Sequence, residues 1–137
     1  MNKTKKVNAF LNSTQNAALV ELMDNVRQLN SLGLQLEVND IFQQDPETLL
    51  QFTQYISGMF LMFFQPQSLD QRQESIKGFR QFFIPLFQRH PCLGEVLQAY
   101  VQRATPEDFQ DLVRDFDSIQ PSLQEMKVFV NGLNIKA

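Results

Sequence analysis

Asp45-Pro46-Glu47 is a strong helix-start signal, and the chain that follows it holds the longest apolar stretch in the sequence, Tyr55-Ile56-Ser57-Gly58-Met59-Phe60-Leu61-Met62-Phe63-Phe64. Asp can cap, Pro fits the first helical position, where its missing amide is no loss, and an acid near the positive helix end is favourable. A helix from Asp45 to about Gln65 follows, stopped at Pro66-Gln67-Ser68. From Met59 to Phe64 it is apolar around its whole circumference, which places it centrally in a fold or in a subunit interface. The stretch is about half of the roughly 20 residues that a membrane-spanning helix requires, so it reads as buried in protein.

The same helical step organises the rest. Asn12-Ser13-Thr14 can cap a first helix in which Ala18, Leu22, Val26 and Leu29 recur at three- and four-residue intervals, widened by Leu19 and Met23, with Gly33 as its stop. Leu34-Gln35-Leu36-Glu37-Val38 alternates instead, and reads as an extended connector or part of a short helix through Ile41 and Phe42. Ser68 caps a helix carrying Leu69, Ile76, Phe79, Phe83 and Leu86. Pro85 predicts a kink or a helix junction near Phe82 to Pro85. Pro91 opens a short helix faced by Leu93, Val96, Leu97, Tyr100 and Val101.

Thr105-Pro106-Glu107-Asp108 resembles a capping box, followed by an inward stripe of Phe109, Leu112, Val113 and Phe116. Ile119-Gln120-Pro121-Ser122 turns the chain, and Leu123, Met126, Phe129 and Val130 line a last helix ended by Gly132. The expectation is an all-α domain over 1–137, a compact bundle or orthogonal array of about six helices, with 1–12 as a basic, flexible N-terminal arm. Phenylalanine dominates the rings, with 13 Phe, 2 Tyr and no Trp, which favours dry contacts over rings that need a hydrogen-bond partner.

A net charge of −3 argues against a protein devoted to phosphate backbones. The best basic material, Arg72, Lys77, Arg80 and Arg89 with Lys3, Lys5 and Lys6, is irregularly spaced and accompanies no phosphate loop or zinc-finger pattern. Nucleic acid is therefore not an expected partner. The polar interruptions in Val7 to Thr14 leave no apolar run of signal-peptide length, and one cysteine, Cys92, excludes an intramolecular disulfide; the expectation is a cytoplasmic protein without a membrane span.

His90-Pro91-Cys92 brings the only imidazole and the only thiol close together. A nucleophilic cysteine needs a positioned base, and a structural zinc needs about four ligands; no second His or Cys exists here. Both residues read as packing and helix-end residues, and no catalytic residue, metal or cofactor is expected. Asp108, Asp111 and Asp115 fall on one face of their expected helix, a docking face for a basic partner or an ordinary solvated face.

Phe60, Phe63, Phe64, Phe79, Phe82, Phe83 and Phe87, with Met59 and Met62, supply more bulky apolar surface than a small bundle needs inside. The leading expectation is a non-enzymatic interaction module, of adaptor, dedicated-chaperone or inhibitor type. It would bind another protein, or a second copy of itself, through Met59, Phe63, Phe82, Phe83 and Phe87. The alternative is a helical pocket for a lipid-like or other apolar ligand between the Tyr55–Phe64 and Phe79–Phe87 segments.

Overall fold

The structure is a computed structural model that describes residues 15–65, 68–113 and 115–133. Within them the chain forms six α-helices and two 3₁₀ segments, with no strand. In chain order they are α1 (Gln15–Gln28), α2 (Leu32–Gln44), α3 (Pro46–Phe64), α4 (Leu69–Arg89) and α5 (Pro91–Arg103), then the 3₁₀ segments Pro106–Leu112 and Phe116–Ser118, then α6 (Ile119–Asn131). The all-helical expectation holds. The basic arm 1–12, the cap at Asn12 to Thr14, the break at Pro66-Gln67 and Arg114 lie outside the described residues, as do the side chains of Ala18 and Phe116.

Three local readings are corrected, and of the two alternatives at Leu34–Val38 the short helix is the one formed. The first helix ends at Gln28, well before Gly33: Asn30 takes a left-handed turn (φ 54°) and Ser31 begins a new helix, its hydroxyl accepting from the Leu34 amide at 3.3 Å. Asn tolerates that conformation through its short polar side chain. The alternating segment Leu34–Val38 therefore lies inside α2, where Val38 and Ile41, three residues apart, are the buried positions. Pro85 makes no junction, because α4 is helical from Leu69 to Arg89. After Thr105 the chain winds as a 3₁₀ segment, tighter than the expected α-helix.

The helix starts follow their caps. Ser68 and Gln71 form a reciprocal capping box, with the Gln71 amide donating to Ser68 Oγ at 3.2 Å. Asp45 accepts from the Thr48 amide at 3.3 Å and from its hydroxyl at 2.5 Å, which holds the Asp45 carboxyl below its ordinary pKa. Asp45 and His90 each end one helix and start the next, with nearly the same backbone (φ −149°, ψ 69° and φ −133°, ψ 76°). Each precedes a proline, which disfavours α-helical geometry at that residue and so favours both corners.

Buried apolar side chains from all six helices and the longer 3₁₀ segment form one continuous cluster. The second half of α3 lies in it as expected: Met59, Phe60, Met62, Phe63 and Phe64 are all buried. α3 packs against α1, α2, α4 and α6, and α5 closes the other side against α2, α4 and α6. Phe60 and Phe64 both meet Phe109, at ring centroid distances of 5.3 and 4.4 Å, so this ring, with partly buried Leu112, packs the 3₁₀ segment on the core. No helix among the described residues is long and apolar enough to cross a membrane.

Candidate functional site

α4 divides into two halves. Phe83, Leu86 and Phe87 are buried, whereas no residue from Leu69 to Phe82 is. In that first half Leu69 is 71% exposed and Ile76, Phe79 and Phe82 are half-buried, so a helix face with apolar spacing stands only partly covered. What covers it is α3. Tyr55, itself 38% exposed, stacks on Phe82 with ring centroids 3.7 Å apart and planes 1° from parallel, and meets Phe79 edge-on at 6.1 Å. Gly58 lies beside Phe79, where a methyl group would meet the ring at 3.4 Å, a van der Waals contact.

Of the residues expected to form a binding surface, Met59, Phe63, Phe83 and Phe87 are core residues, between 0% and 5% exposed. They occupy the inward side of their helices, where rings meet rings: Phe83 touches Phe87 at 5.4 Å, and Phe52 touches both at 6.3 and 6.1 Å. These contacts also occupy the α3–α4 seam where an apolar ligand pocket was expected. Only Phe82 keeps an outward aspect. Tyr55 and Phe79 join it, and Tyr55 was not foreseen as a site residue. The signal was available: Gln51, Gln54 and Tyr55 share the polar side of α3, and tyrosine is the ring that tolerates such a position.

The start of α4 is tied down by Arg72, which pairs with Glu125 of α6 and lies 5.4 Å over the Phe63 ring. Lys77 and Arg80 are exposed on α4 and Arg89 sits at the α4–α5 corner, so the four helical basic residues do not share one purpose. The expected acidic face is also undone. Asp108 is 7% exposed, its carboxylate turned back to accept from the Thr105 amide at 2.8 Å. Asp111 is exposed, and Asp115 lies beyond the 3₁₀ segment, accepting from the Asp117 amide at 3.0 Å.

The two proline corners meet around a cleft of about 340 Å³ lined by Glu37, Asp40, Asp45, Arg89, His90 and Cys92 among others. Burial, with the neighbouring Glu37 charge, pushes the Cys92 thiol up to about 11, so at neutral pH it is protonated and weakly nucleophilic. Among the described residues no three His, Cys, Asp or Glu side chains are placed to hold a metal ion.

The class defined by this fold is all-α, with a half-covered aromatic face on α3 and α4 as its most distinctive surface. Comparison of the chain with protein-family models, curated proteins and solved structures gives no match.

Proposed function

We propose that the chain is a non-enzymatic, cytoplasmic interaction module that docks an apolar helix of another protein on the face formed by Tyr55, Phe79, Phe82, Ile76 and Leu69. Binding of a second copy through the same face is one form of this reading. The observation that supports it is the first half of α4, a capped helix held in place by the Arg72–Glu125 pair yet without one buried side chain. Ile76, Phe79 and Phe82 pack against the core only partly, and most helical stability comes from packing an apolar face.

A partner helix laid along α4 would complete that burial through anchors at three- and four-residue steps. Asp70, Glu74, Lys77 and Arg80 supply a rim of mixed charge, which orients a partner without demanding a strongly charged one. The double variant Tyr55→Ala/Phe82→Ala tests the reading. A partner retained by the natural chain at native expression is lost by the variant, while the circular dichroism of both stays the same; equal retention contradicts it.

A further inference from the structure

The half-covered stretch of α4 carries a charge order that matches itself. Between Leu69 and Phe82 the exposed charged side chains are Asp70, Glu74, Lys77 and Arg80, at steps of four, three and three residues, so they follow one strip of the helix beside Leu69 and Ile76. Two acids come first and two bases follow. Within one chain this order gains little. Asp70 and Glu74 are like charges one turn apart, as are Lys77 and Arg80, and none of the four forms an ion pair with another described residue.

Turned end for end, the strip is complementary to itself. A second copy of α4 laid antiparallel, with a twofold axis between Ser75 and Ile76, sets Glu74 opposite Lys77 and Asp70 beside Arg80 on both sides of the axis. The same register sets Leu69, 71% exposed, opposite half-buried Phe82. A parallel copy sets acid against acid and base against base, so the charges select the antiparallel arrangement. A groove of about 540 Å³ lined by Asp70, Gln71, Glu74 and Ser75 gives Lys77 and Arg80 of the second copy room beside the acids. From Leu69 to Phe82 the strip is about four turns, roughly 21 Å, which a second copy covers end to end.

We infer that the occupant of the docking face is a second copy of this chain, paired antiparallel through the first half of α4 in a twofold dimer. This rests on the docking reading above and names its partner.

Sedimentation equilibrium of the full chain tests it. The natural chain forms a dimer below about 500 µM, the weak range expected of a four-turn contact. Asp70→Lys/Glu74→Lys leaves four bases on the strip and Lys77→Glu/Arg80→Glu leaves four acids, and each variant alone dimerises at least about tenfold more weakly. All four positions are exposed, so the circular dichroism of both variants stays that of the natural chain. An equimolar mixture of the two restores the dimer, as does the chain carrying all four reversals. A natural chain that stays monomeric to about 500 µM, a dimer that neither reversal weakens, or a mixture that stays monomeric overturns the inference. The docking reading then stands if Tyr55→Ala/Phe82→Ala loses a partner of another sequence, and falls as well if it loses none.

Discussion

Tyr55 and Phe82 lie ring against ring, 3.7 Å between centroids and 1° from parallel, on the outward side of a helix pair whose inward side is already filled by Phe52, Phe83 and Phe87. Aromatic pairs left to themselves favour offset or edge-to-face arrangements with centroids 4.5–7 Å apart. The close parallel stack is therefore set by the helices that carry the rings, and by Phe79 and Phe83, which meet Tyr55 edge-on at 6.1 and 6.2 Å. One consequence is that no ligand fits between the two rings, and their free edges and outer faces are what the proposed partner would meet.

Inward and outward rings should therefore respond differently to truncation. Phe83→Ala empties a fully buried position and is expected to cost about 3–5 kcal/mol. Tyr55→Ala loses a partly exposed ring and its stacking, for about 1–2 kcal/mol. Urea denaturation of both variants checks the difference, and equal losses would show that the outward face is part of the core.

Gly78 lies in the half of α4 that lacks buried side chains, and a methyl group added there meets nothing within 4 Å. Gly78→Ala should stabilise the chain by up to about 1 kcal/mol through helix propensity alone. An unchanged denaturation midpoint would mean that this half of α4 is not helical in the free protein.

Pro85 is exposed inside a continuous helix, where it removes one backbone hydrogen bond. Pro85→Ala is expected to raise stability by about 1–3 kcal/mol. A loss measured by the same denaturation would show that the core is packed around a bend at the proline.

The Cys92 thiol gives a pH dependence with a definite sign. Its folded pKa of about 11 lies above the ordinary 9.0, so the folded chain holds the proton more tightly than the unfolded chain. The resulting stabilisation is complete below about pH 9 and is lost as pH rises through about 11. Denaturation midpoints should fall across that window more steeply for the natural chain than for Cys92→Ala. Thiol labelling near neutral pH should be slow until the chain unfolds.

Helix existence was legible because caps and period agree: Asp45-Pro46, Ser68, and Thr105 with Asp108 each start an element where expected. The misreading at Gly33 and the open alternative at Leu34–Val38 have one cause. At Leu34–Val38 and at Gly33 a short local pattern competed with a helix that its neighbours could stabilise, and tertiary packing of Val38 and Ile41 decided. The site was harder to read. Helical spacing puts Phe79, Phe82, Phe83 and Phe87 on adjoining faces, and only the position of α3 separates the buried rings from the half-covered ones. The inward turn of Asp108 depends on its bond to Thr105 and on the tighter 3₁₀ winding, so a helical-wheel reading placed it with Asp111 on the surface.

The docking face is tested most directly by a photo-crosslinking amino acid placed at Tyr55, in cells that express the chain at native level, with the same group at exposed Gln124 of α6 as the control. A discrete crosslinked species, either a dimer of this chain or one defined partner, should form from Tyr55 and not from Gln124. Identical crosslinking from both positions, or none from Tyr55, would contradict the assignment of this face as an interface.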